Sequence, residues 1–231
     1  MSKTSSGAKG ATTDEFVAEL AQHFRAQVRR SISTELDDSV VSLAFVDHYL
    51  ASARDEAREP ILALLAAGAG AYYGELVRRE FGGQWIGDGE HPRRLRLLLT
   101  PQFVHFSPVD QALEAIVGRS LAPDDPRIPP GPPLDASFHL DARPPGADER
   151  ARADARGPSD EDWIHAQLER LPAISADAFY SLTGRFETLQ LILELLAARR
   201  LEEGCEPRTY ETRDYLGALA AEVREGPVGR G

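Results

Sequence analysis

The chain has 231 residues, of which 42% are hydrophobic and 27% charged, with a formal net charge of −11. That is enough for one good core and a smaller second lobe, and its acidity disfavours nucleic acid and anionic membrane surfaces as partners. The single cysteine, Cys205, excludes an intramolecular disulfide and a Cys-based zinc site, and the longest apolar run, residues 61–73, falls short of the about 20 residues a membrane-spanning helix needs.

Residues 1–12, "MSKTSSGAKGAT", hold the only two lysines, Lys3 and Lys9, and read as a disordered tail with no apolar stretch of the secretory kind. The expectation is a cytoplasmic protein. Thr13 or Asp14 can cap a first helix, in which Phe16, Val17, Leu20, Phe24 and Val28 recur at helical spacing. "STELDDS" breaks it. A second helix is expected over residues 38–58, with Val40, Leu43, Val46 and Leu50 on one side. Pro60 suits the first turn of a third helix, and Gly82-Gly83 its stop.

That third segment, "PILALLAAGAGAYYGELVRREFGG", contains Gly68-x-Gly70-x-x-x-Gly74. A dinucleotide loop needs a strand before the first glycine, a helix opening after it and a βαβ unit around both. Here the preceding residues are Leu and Ala, which favour helix, and no Gly-Lys-Ser/Thr follows. No cofactor is therefore expected. Each internal glycine costs about 1 kcal/mol relative to alanine. Three of them call for a reason, either a close helix–helix approach or a ligand against the backbone, and packing is the expectation.

The period then shortens. "RRLRLLLT" (residues 93–100) and "QFVHF" (102–106) read as antiparallel strands, with "QWI" (84–86) as a third and the alternating "LDASFHL" (134–140) as a further candidate. "SPVDQALEAIVGR" is a helix capped by Ser107 with Pro108 in its first position. Residues 120–158, with "PPGPP" and "RPPGADERARADARGP", form a Pro-rich linker or surface excursion. Ser159 then caps a helix opening on three acids, and Ser175 caps another that carries Phe179, Leu182, Phe186, Leu189, Leu193 and Leu196. A last helix over 209–223 precedes a flexible tail at 224–231. The fold class is α+β, mainly helical, with a small antiparallel sheet of two to four short strands after the third helix. Residues 13–119 make a helical domain holding that sheet, and 159–223 pack on the same core.

Candidate chemistry centres on two acids at core-facing positions. Glu75 follows Tyr72-Tyr73-Gly74, and an i,i+4 ion pair with Arg79 accounts for it most simply. Asp47 lies between Leu43 and Leu50, beside His48, and once buried needs a partner such as an arginine. Asp47, His48, Tyr72, Glu75 and Arg79 are thus the candidate pocket. No metal-ligand spacing such as His-x-x-x-His occurs, so no metal is expected. His105, Ser107 and Asp110 invite a triad reading, but Ser107 is better explained as a cap. Cys205 has no cation nearby in sequence to activate it.

Tyr72, Gly74, Glu75, Gly82, Gly83, Trp85, Ser107, Pro108 and Ala112 form a pattern: an aromatic-x-Gly-Glu helix end, a Gly-Gly-x-Trp turn, a strand pair and a Pro-started helix. It resembles a group of uncharacterised bacterial domains over residues 37–118. The resemblance implies an α+β, mainly helical fold and carries no activity with it. Two functions are expected to compete. One is a non-enzymatic acidic binding or accessory protein, an adaptor or immunity-type protein meeting a basic protein partner. The other is a small hydrolase or metal-dependent enzyme using Asp47, His48 and Glu75.

Overall fold

Helix α1, Thr13–Ile32, opens on a reciprocal cap in the computed structural model, which describes residues 12–54, 59–140 and 158–225. The cap is Thr12, one residue earlier than expected: its hydroxyl accepts from Glu15 N, and the Glu15 carboxylate accepts from Thr12 N. Of the expected N-terminal tail only Thr12 is described. The tail beyond 225 and residues 141–157 of the Pro-rich stretch lie outside the described residues. Val17, Ala21, Phe24 and Val28 bury one face of α1.

Helix α2, Ser42–Ala53, starts four residues later than its apolar pattern suggests. Asp37 Oδ1 accepts from Ser39 N, closing a turn, and Asp38 sits at a left-handed φ of 62° with its carboxylate on Arg25. A side chain competing for backbone donors delays the helix. Helix α3, Ile61–Phe81, is the central element, buried almost continuously from Leu65 to Val77. It ends at Gly82, whose φ of 81° turns the chain into strand β1, Gly83–Ile86.

Strand β1 pairs antiparallel with β2, Arg96–Leu99, and β2 with β3, His105–Phe106, giving the order β1-β2-β3. Both later strands are shorter than predicted. Pro92–Arg94 form a 3-10 turn ahead of β2, and Thr100-Pro101-Gln102 is spent on reversing the chain, with Leu99 N bonded to Val104 O. The "LDASFHL" segment contributes a single antiparallel bridge, His139 to His105.

Helix α4, Pro108–Val117, is buried along its whole length, with Ser107 as its cap and Gly118 at φ 73° as its stop. The α3 glycines face these neighbours. A Cβ on Gly70 would stand 2.6 Å from Val109 Cα and 2.8 Å from the Pro108 carbonyl carbon, and one on Gly68 would stand 2.9 Å from Phe24 Cβ. Gly74 admits the Trp85 ring and Pro108. The glycines therefore serve packing: at Gly70 two backbones meet, and at Gly68 and Gly74 an aromatic side chain takes the space a methyl would need.

Residues 120–140 lie on the core, burying Leu121 and Leu140, with Asp135 N donating to Asp110 Oδ2 and Gln111 Nε2 to Ala136 O. The C-terminal part is α5, Asp160–Leu168; α6, Ala176–Tyr180; α7, Leu182–Glu202; and α8, Thr212–Glu225. One helix was expected across α6 and α7. It breaks at Ser181, whose ψ of 153° is extended and whose hydroxyl caps α7 by accepting from Gly184 N. Tyr215 of α8 ties the β2–β3 turn: its hydroxyl donates to Leu99 O at 2.6 Å and accepts from Val104 N at 3.1 Å. No helix among the described residues is long and apolar enough to cross a membrane.

Candidate functional site

Glu75 sits near the end of α3, where the helix meets β1. Its Oε1 accepts from Arg78 Nε at 2.9 Å and Trp85 Nε1 at 2.6 Å, and its Oε2 from Arg78 Nη2 at 2.8 Å. The partner is Arg78, not the expected Arg79. Both spacings lie on one helix face, and the indole of β1 fixes the carboxylate where the Arg78 fork reaches it. Arg79 turns the other way, 3.8 Å from Asp38 and 3.9 Å from Glu80. Burial alone raises the Glu75 carboxyl, but hydrogen bonds from Arg78 and Trp85, with the charges of Arg78 and Arg25, hold it below the usual glutamate value.

Beside Glu75 is an open cleft of about 290 Å³ lined by Arg25, Asp38, Leu76, Arg78 and Arg79. Tyr72 lies beneath Arg25, whose guanidinium carbon is 5.2 Å from the ring centre. Its hydroxyl meets Ser42 Oγ at 2.5 Å, and because Ser42 donates to Ser39 O, Tyr72 is the donor. Burial pushes the phenol further from ionisation.

Asp47 stands elsewhere, at the junction of α2 and α7. Its Oδ1 accepts from Leu182 N at 2.7 Å, and its Oδ2 from Thr183 N at 3.1 Å and Thr183 Oγ1 at 2.5 Å. The expected arginine partner is replaced by the free N–H groups of a helix end, which also favour an anion, though less strongly than a cation would. Burial raises the Asp47 carboxyl above the usual aspartate value, and these hydrogen bonds offset only part of that rise. His48 is exposed on α2. Of the five candidate residues, Glu75 and Arg79 share a cleft with Tyr72 one layer below. Asp47 and His48 do not line it.

Sequence reasoning missed two buried ion pairs on α4. Asp110 accepts from Arg93 Nε at 3.0 Å, and Glu114 Oε2 from Arg185 Nη2 at 2.7 Å. Their signal was two acids four residues apart on a helix with apolar residues all round it. Removing one partner of such a pair typically costs about 3–5 kcal/mol, since the other is left buried and charged. The Glu114–Arg185 pair borders a polar cleft of about 310 Å³, with the Phe179 and Tyr180 rings against the guanidinium.

These pairs also dispose of the triad. Asp110 is engaged by Arg93, and Ser107 Oγ accepts from Asp110 N at 3.3 Å as a helix cap. His105 is stacked on His139 with ring centres 4.9 Å apart, and burial, with His139 beside it, depresses its pKa to about 3. Among the described residues no group of three or more His, Cys, Asp or Glu is placed to hold a metal ion. No family model matches the chain, and neither a curated protein nor a solved structure matches it.

Proposed function

We propose that this protein is a non-enzymatic binding protein that meets a basic protein partner, with residues 171–179 at the centre of the contact. One observation carries this reading. Between α5 and α7 the chain leaves Leu171, Ile174 and Phe179 at 50%, 60% and 42% exposure. Large apolar side chains grouped in one exposed segment suit a partner surface. The charges bordering it are mixed, with Glu169 beside Arg170 and Asp177 paired to Arg54 at 3.2 Å, so it is the net charge of −11 that favours encounter with a positive surface. Asp47 and Glu75 are occupied in tying elements together, which fits a scaffold more readily than acid–base chemistry.

The test is a partner isolated from the source cells and then purified. A Leu171→Ser, Ile174→Ser double variant should melt as the wild type does yet bind at least about tenfold more weakly. Raising salt from about 0.05 to 0.5 M should weaken the wild-type complex. A partner indifferent to both changes would refute the proposal. Phe179 is left intact because its ring lies 5.1 Å from the Arg185 guanidinium carbon.

A further inference from the structure

Between α3, α4, the 3-10 turn at Pro92–Arg94 and the segment 129–132 lies a cavity of about 160 Å³. A void of about 150 Å³ with apolar walls accepts a benzene molecule. Most of this wall is apolar, made by Ala66, Val109, Leu113, Pro130 and Pro132. The charged and polar exceptions are His91, Arg94, Asp110 and Arg93, and the Arg93 side chain is only 8% exposed.

Arg93 is held on two sides. Its Nε donates to Asp110 Oδ1 at 3.0 Å and its Nη1 to Pro129 O at 2.6 Å. Its Nη2 is buried and meets no hydrogen-bond acceptor among the described residues. A buried charged donor without an acceptor is unfavourable, and a few convergent polar groups in an apolar pocket are the mark of a ligand site.

The local charges decide what kind of acceptor fits. Asp110 already matches the charge of Arg93. At the rim, Asp88 Oδ2 takes both His91 Nδ1, at 2.8 Å, and Arg94 Nη1, at 3.0 Å. A second carboxylate beside Asp110 would enter a poorly solvated space where, among the described residues that line it, Arg93 and Arg94 are already paired with Asp110 and Asp88 and leave no free cation to meet it. A neutral carbonyl needs none.

We propose that this cavity binds a small, uncharged, ring-sized apolar molecule bearing one carbonyl group. The carbonyl oxygen accepts from Arg93 Nη2, and the ring lies against Ala66, Val109 and Leu113. This site is independent of the exposed segment at 171–179.

The experiment is an amide NMR titration of the full chain with acetophenone, its isostere ethylbenzene, and benzoate. Acetophenone should shift the amides of α3, α4 and 129–132 and bind about tenfold more tightly than ethylbenzene, the effect of one hydrogen bond to a charged donor. Benzoate should bind more weakly than acetophenone. Ala63→Leu, which fills the cavity from a half-buried position and leaves the Arg93–Asp110 pair intact, should abolish binding. Absence of any shift at the cavity, equal affinity for ethylbenzene, tighter binding of benzoate, or undiminished binding by Ala63→Leu would each overturn the proposal.

Discussion

Where α3 meets β1, Glu75 receives the indole N–H of Trp85 and both prongs of Arg78; where α2 meets α7, Asp47 receives two backbone N–H groups and the Thr183 hydroxyl. A glycine stands at each junction. Gly74 leaves room for the Trp85 ring, and Gly184 for the Ala178 carbonyl. The parts list is the same, an acid in an apolar stripe and a glycine that admits a neighbour, yet the electrostatics run in opposite directions. Glu75 has a guanidinium to set against its burial and ends below its usual pKa. Asp47 has only neutral donors, and burial wins. An acid in an apolar stripe is thus a sign that something must be satisfied, and it does not say whether that is a cation or a helix end.

The glycines give the largest test of this comparison. Gly74→Ala drives a methyl into Trp85 and toward Pro108, both embedded in the core, and should destabilise by about 3 kcal/mol, lowering Tm by roughly 6–12 °C. Gly184→Ala makes as close a contact, but with α6, which is five residues long and buries none of them. That segment can swing away, and alanine improves the first turn of α7. A loss of about 1 kcal/mol is expected in denaturant melts. Equal losses at the two sites would mean that α6 is as firmly seated as β1.

What was legible in the sequence follows the same division. Local devices could be read: Ser107-Pro108 opening α4, Ser159 and Ser175 as caps, Gly82 stopping α3, and the small residues of α3 as a packing face. The break at Ser181 could not, because it is stabilised by Asp47, which the chain reaches only through the tertiary fold. Glu75 was read as an ion pair with Arg79, but Arg78 and Arg79 are both at helical spacing, and only the position of Trp85 chooses between them. Arg93 and Arg185 were missed for the same reason: each is a surface residue by composition until α4 supplies its carboxylate. The strands were overextended because an apolar run does not reveal which of its residues are spent on turning.

Substituting the acids themselves sharpens the contrast. Asp47→Asn leaves an amide group facing Thr183 N, a half-buried backbone donor that cannot turn elsewhere. The expected loss is about 1.5 kcal/mol, in the range for losing a helix cap. Glu75→Gln keeps an acceptor for Trp85, and Arg78, whose side chain is 42% exposed, can turn to water. Its loss should stay below about 1 kcal/mol. Chemical denaturation of the two variants at neutral pH orders them, and a larger loss for Glu75→Gln would show that the ion pair, not the cap, is the stronger tie.

The smallest effect is the most diagnostic, since the two acids should tilt the pH dependence of stability in opposite senses. For Glu75 the folded pKa lies below the unfolded one. Between the two values the unfolded chain binds more protons, so stability rises with pH; the contribution is complete above the ordinary glutamate value of about 4.3 and is lost as pH falls through the folded pKa. For Asp47 the folded pKa lies above the unfolded one. Between the ordinary aspartate value of about 3.9 and the raised folded value the native chain binds more protons, so stability falls as pH rises through that window. Melts across the acid range should therefore show Glu75→Gln losing a rising limb and Asp47→Asn losing a falling one. If Asp47→Asn steepened the fall instead, the donors at the head of α7 would outweigh burial, and the two junctions would be electrostatically alike.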